Sequence, residues 1–174
     1  MLKRLKELLE RLNPTMYQDR KSIDLLKEFP DLFHGDVTPD SMKELHRFLR
    51  EHINENIIMY HGTSADFDIE NQGLLPTSLK RRNSMQSSSG FVYLSLFPNM
   101  AKTFAEMAFP NKKVQVYKVT VPIEDLKPDK DQLFNKRVYC RDSNLGDTLV
   151  DSLVHGHGAR LKGSIEPYKI VKHY

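Results

Sequence analysis

Apolar residues near the start of the chain fall at Leu2, Leu5, Leu8, Leu9 and Leu12, a single stripe at helical spacing that Pro14 closes. A second short segment of the same texture, SIDLLKEF, runs from Ser22 to Phe29 and stops at Pro30. The third opens on Thr38 as an N-cap with Pro39 at the first helical position, then sets Met42, Leu45, Leu49 and Ile53 on one face. Residues 1–55 therefore read as a helical extension or cap packed against the remainder of the chain. Amphipathicity alone also fits residues 2–12 to a partner or a membrane surface.

From Asn56 the period changes. NIIMY (56–60) predicts a strand, ADFDIENQG (65–73) a short helix ended by Gly73, and FVYLS (91–95) another strand. PNMAKTFAEMAF (98–109) predicts a helix with Pro98 near its start and Met100, Phe104 and Met107 inward. VQVYKVTV (114–121), β-branched and apolar on both faces, predicts a central strand. DTLVDSLVHG (147–156) predicts a late helix, and GSIEP and YKIVKHY finish the chain as strands. SLKRRNSMQSSSG (78–90) is basic and serine-rich and reads as a loop. Residues 56–174 thus form one α+β domain.

Composition narrows the class. With 174 residues, 39% hydrophobic and 28% charged, the chain is long enough to bury a core and has the balance of an ordinary globular protein. No apolar run approaches the ~20 residues that span a bilayer, and the charged N-terminus lacks the features of a secretory signal. The one cysteine, Cys140, excludes an internal disulfide and fits a reducing compartment, so the expected location is cytoplasmic, or a host cytoplasm after delivery. A net charge of +3 permits nucleic acid without demanding it. His155 and His157 have no third spaced ligand nearby, so no metal is expected.

Three features fall in order: the strand MYHGT followed by a short helix and Gly73-Leu74, the strand VYLS followed by the helix AKTFA, and the late SIEPYKI. Phe104 lies eleven residues after Tyr93. This order and spacing resemble the ADP-ribosyltransferase family of the His-Tyr-Glu type, which includes diphtheria toxin and the poly(ADP-ribose) polymerases. The resemblance covers roughly residues 56–174 and implies two packed β-sheets around an NAD cleft.

It also implies roles. Breaking the nicotinamide–ribose bond of NAD develops oxocarbenium-like charge on the sugar, which a nearby carboxylate stabilises. By resemblance that carboxylate is Glu166, and His61, Tyr93 and Glu166 form the catalytic set. The His61 ring would bond the adenosine ribose, with Thr63 beside it in the NAD-binding strand. The backbone of Gly62 would pair with the nicotinamide amide, where a side chain would obstruct the approach. Tyr93 and Phe104 would sandwich the nicotinamide, and Ser95 would add a polar contact at the strand end. A self-satisfied core histidine, a core Phe104 on its helix stripe and a solvated Glu166 are the plain alternatives.

Departures from the family pattern matter as well. Ser164 stands where arginine-modifying relatives carry a second Glu or Gln, which disfavours arginine as acceptor. Pro167 removes a backbone donor directly after Glu166. The basic loop with Lys80, Arg81 and Arg82 lies where relatives cover the dinucleotide, and is suited to a pyrophosphate or a nucleic-acid acceptor. The expected activity is transfer of one ADP-ribose unit from NAD to a protein or nucleic acid, as in toxins, injected effectors and phage-encoded modifiers. RNA 2′-phosphotransferases share the fold, an HGTS strand and the following Gly-Leu. They need several arginines at the site, where this sequence offers Arg81 and Arg82 in the loop and Arg160 before the last strands, and is expected to place none beside VYLS. An inactive nucleotide- or partner-binding relative is the third reading.

Overall fold

The computed structural model describes residues 20–76, 88–139 and 145–174. The stripe at residues 2–12, the basic residues Lys80, Arg81 and Arg82, and Cys140 lie outside these. Among the described residues the fold is α+β: seven strands in one sheet, antiparallel except for one short parallel pair, with helices on both faces. The strands are β1 (Ser22–Ile23), β2 (Asn56–Ser64), β3 (Phe91–Ser95), β4 (Val114–Pro122), β5 (Leu126–Lys127), β6 (Gly158–Lys162) and β7 (Ile170–Lys172). Their order is β5-β6-β3-β2-β4-β7, with β1 on β2. The helices are α1 (Leu25–Glu28), α2 (Pro30–His34), α3 (Pro39–Glu51), α4 (Ile69–Gln72), α5 (Pro98–Ala108), α6 (Lys130–Tyr139) and α7 (Leu149–His155).

Local chemistry sets several ends. Thr38 caps α3, with its hydroxyl accepting from the Ser41 N–H at 3.1 Å and Ser41 reciprocating, and Pro39 fills the first turn. Gly73 ends α4 at φ +76°, a conformation that favours glycine. Three expectations need correction. The segment from Ser22 begins as strand β1 before α1 starts, so residues 20–55 are not purely helical. Ile53 falls beyond the end of α3 and is 41% exposed. Finally, α5 turns Ala101 and Ala105 to the sheet while Met107 is 53% exposed, because the helix lies too close for a long side chain.

The two packed sheets expected for the fold are not what the structure contains; one strand path runs edge to edge. Its middle is nevertheless weak. β2 and β4 pair along nine residues, from Asn56↔Pro122 to Ser64↔Val114. On its other side β2 meets β1 at Asn56 and Ile57, then β3 at Tyr60↔Ser95 alone. β3 pairs fully with β6, from Phe91↔Lys162 to Ser95↔Gly158. Two half-sheets, β5-β6-β3 and β2-β4-β7, are thus joined at a seam one pair long.

The main core lies on the face carrying Ile57, Met59, Val119 and Val121, and includes Leu25, Phe33, Leu45 and Leu49 from the preceding helices. α5 covers the opposite face of β2.

Candidate functional site

The seam is where the sequence motifs meet. Beyond Tyr60 the ladder between β2 and β3 stops, and the His61 ring spans the gap: its Nδ1 lies 2.7 Å from the Tyr93 carbonyl oxygen. A carbonyl only accepts, so Nδ1 carries the proton and Nε2 holds the lone pair. Burial pushes the His61 pKa below its ordinary value, partly opposed by that bond, so the ring is neutral at pH 7.

Gly62 follows at the same opening and stays partly exposed despite its central place. A Cβ there would overlap the Ala101 carbonyl oxygen and come within 2.9 Å of the Ala105 Cβ. The glycine is therefore required by the close approach of α5, whatever else its backbone does. Alternation along β2 puts Gly62 on the face shared with Ser95 and Tyr93, and His61 and Thr63 on the other. Thr63 is buried opposite Gln115. Phe104, on the helix that covers Gly62, is half-buried. Ser95 is buried, its hydroxyl donating to the His157 carbonyl and accepting from the Phe97 N–H, both at 3.2 Å. It holds the turn into α5.

Tyr93 is anchored by Asp131 and Ser88, which sequence reasoning did not select, and through Asp131 by Arg160, which it named only as an arginine before the last strands. Its O–H donates to Asp131 Oδ2 at 2.5 Å and its oxygen accepts from the Ser88 N–H at 2.6 Å. Asp131 also accepts from the Ser88 hydroxyl at 3.0 Å and from Arg160 Nη1 at 3.2 Å. Arg160 stands directly across the β3–β6 ladder from Tyr93, with its guanidinium 4.2 Å from the centre of the Phe91 ring. The expectation of no arginine beside VYLS is thus wrong. GARLK, with a charge at its centre, gave no strand signal, and pairing on both sides buries it. Burial, with the Asp131 bond second, drives the Tyr93 hydroxyl up to about 12, so it stays protonated. Asp129, just before α6, is raised to about 6, chiefly by burial.

Glu166 lies elsewhere than expected. GSIEP is not a strand: Ile165 makes one bridge with Leu74, and Glu166 stands directly before the 3₁₀ turn Pro167–Lys169 without a side-chain capping bond to it. Pro167 has no N–H for a ladder and a fixed φ, so pairing stops there. The segment from Gly163 carries the chain from β6 past the seam to β7 at the far edge. Ile165 is buried in the core with Met59, so this crossing runs on the face to which His61 belongs. The structure therefore brings His61, Gly62, Tyr93 and Ser95 to one seam but on two faces of the sheet, His61 with the Glu166 crossing on one, and Gly62, Tyr93 and Ser95 with the helix that carries Phe104 on the other.

On the same side of β4 as His61, Tyr117 and Gln115 border a shallow cavity of about 160 Å³, closed by Phe67, Asp68, Ile69 and Lys172. Among the described residues no group of three or more His, Cys, Asp or Glu is placed to hold a metal, and no helix is long and apolar enough to cross a membrane. No protein-family model, curated protein or solved structure matches the chain.

Proposed function

We propose that the protein cleaves NAD at the β2–β3 seam and transfers one ADP-ribose unit to a macromolecular acceptor, protein or nucleic acid, releasing nicotinamide. The observation that carries this reading is the junction itself. His61, Gly62 and Tyr93, distant in sequence, converge where the ladder ends after Tyr60↔Ser95, and the His61 ring crosses to Tyr93.

Each residue then has a task its chemistry suits. The neutral His61 presents an Nε2 lone pair to a ribose hydroxyl. Gly62 offers strand backbone beneath α5 to the carboxamide, and Tyr93 and Phe104 offer flat apolar faces to the nicotinamide ring. The Glu166 carboxylate, reaching from the crossing, stabilises the charge that develops on the ribose as the bond to nicotinamide breaks. The cavity beside Tyr117 is smaller than the ~300–1,000 Å³ of enclosed ligand pockets. NAD would therefore pass through the open seam to reach residues on both faces of the sheet, with the cavity taking only one end. A toxin or effector role belongs to the same reading and rests on the family resemblance.

Arg160 favours a second reading, removal of a 2′-phosphate from RNA at the expense of NAD, because it places a guanidinium next to Tyr93. Against it, Nη1 is already held by Asp131 and the Arg160 side chain is only 11% exposed, so it presents little of its fork to a phosphate. Incubation with labelled NAD and a cell lysate, followed by nuclease or protease, tests the first reading through an adduct that one of the two removes. An RNA with an internal 2′-phosphate, incubated in parallel, should keep its phosphate. Loss of that phosphate at a rate rivalling adduct formation would establish the second reading.

A further inference from the structure

We propose that Asp131 is the positioning residue of the site, holding the Tyr93 ring at the seam through its hydroxyl and tying it to Arg160 and Ser88. The inference rests on the NAD-cleaving reading for its consequence, though not for its geometry. One Asp131 carboxylate receives four donors: Tyr93 O–H at 2.5 Å, Ser88 Oγ at 3.0 Å, Ser88 N–H at 3.1 Å and Arg160 Nη1 at 3.2 Å. These come from three separate parts of the chain, with α6 supplying the acceptor. Charge-assisted bonds of this kind are short and strong, and several on one carboxylate fix its orientation.

The arrangement clamps Tyr93 at both ends. Its backbone carbonyl takes the His61 Nδ1–H, and its hydroxyl is fixed by Asp131 and by the Ser88 N–H. The side chain stands on the face shared with Gly62. The ring between these anchors is left with one setting, which is what a stacking platform needs, because aromatic stacking is favourable only over a narrow range of offsets and ring separations. Arg160 is nine-tenths buried and offsets its own burial by pairing with Asp131 and lying over Phe91. The same pair thus sets the wall behind Tyr93. With the phenol held protonated up to about 12, the hydroxyl remains a donor throughout the working range.

The test compares wild type, Asp131→Ala, Tyr93→Phe and the double variant, with Asp131→Glu as the rescue. In wild type a downfield, slowly exchanging hydroxyl proton should appear by NMR at neutral pH, and it should vanish in both Tyr93→Phe and Asp131→Ala. Stacking acts alike on bound substrate and transition state, so KM for NAD should rise about tenfold or more in Asp131→Ala with kcat little changed. The double variant should be no worse than the poorer single one, and Asp131→Glu should recover part of the loss. Should Asp131→Ala fail to fold, Asp131→Asn takes its place, and the hydroxyl resonance should move upfield. A resonance that persists unshifted without the carboxylate overturns the proposal, as does full additivity in the cycle. Wild-type protein that leaves NAD intact would refute the NAD reading, and the NMR result alone would then decide whether Asp131 holds Tyr93.

Discussion

His61 donates its Nδ1–H to the Tyr93 carbonyl, and this bond takes over where strand pairing between β2 and β3 gives out. On the proposed reading a second job, holding NAD through Nε2, falls to the same ring, and the two are separable. His61→Ala leaves the Tyr93 carbonyl short of a donor and should cost about 1–3 kcal/mol, besides weakening NAD binding. In His61→Asn the side-chain amide N–H stands near the Nδ1 position, so stability should return while NAD affinity stays low. Thermal unfolding with calorimetric titration of NAD distinguishes the two; recovery of affinity in the asparagine variant would show that Nε2 holds nothing. Because burial lowers the His61 pKa below 6.5, the unfolded chain binds its proton more readily, and this group's contribution to stability is lost as pH falls below about 6.5.

Asp129 shows the opposite sign. Its folded pKa of about 6 exceeds the unfolded 3.8, so between these values the native state holds a proton that the unfolded state has released. Stability from this group is fully present below pH 3.8 and is lost as pH rises to about 6, a gap worth about 3 kcal/mol. Asp129→Asn keeps an oxygen to accept the Gln132 N–H, bonded at 3.0 Å in the native protein, and removes the charge. The variant should be more stable than wild type at pH 8 and equal to it near pH 4, as read from denaturant melts at both pH values. Equal destabilisation at both would contradict this role for Asp129.

At the scale of elements, the packing of α5 on β2 is decided by a glycine and two alanines. Gly62→Ala drives a methyl into the Ala101 backbone carbonyl, which no rotamer change relieves, and overpacking of this kind costs about 1–3 kcal/mol. Urea melts should show that loss, and an unchanged midpoint would mean that the helix stands off from the strand. Much of this layer was legible in the sequence. β-branched runs announced β2, β3 and β4, and Thr38-Pro39, Pro98 and Gly73 marked helix ends through their backbone chemistry. What was not legible is α6 and β6. KDQLFNKRVY spreads its charges around the helix, buries Leu133 and leaves Phe134 and Val138 exposed, so no stripe stands out. GARLK is too short to alternate clearly, and its arginine is buried only because β3 and β5 flank it and Asp131 pairs with it. Those two elements carry Asp131 and Arg160, which is why the acceptor of the Tyr93 hydroxyl escaped the sequence, and why Arg160, legible as an arginine near the cleft, was not expected across from Tyr93. The motif residues His61, Gly62 and Tyr93 were legible, whereas the departure of Glu166 from strand geometry was signalled only by Pro167.

At the scale of the whole molecule, the described residues share one main core to which residues before and after Asn56 both contribute. Leu45 of α3 has no exposed surface and packs in the same cluster as Met59 and Val119. Leu45→Ala should therefore cost about 2–5 kcal/mol and shift a single transition seen alike by helix and tyrosine signals. Two separate transitions would mean that the helices before β2 form a unit of their own. The central claim is that this scaffold splits its sheet at His61 and Tyr93 in order to cleave NAD, with Glu166 supplying the charge. The most direct measurement is nicotinamide release from NAD by wild type and by Glu166→Gln, with thermal midpoints recorded for both. The claim predicts release by wild type and a loss of about 10²–10³-fold in Glu166→Gln, with little change in stability. Glu166→Gln turnover equal to wild type, or no nicotinamide released by the wild-type protein, would contradict it.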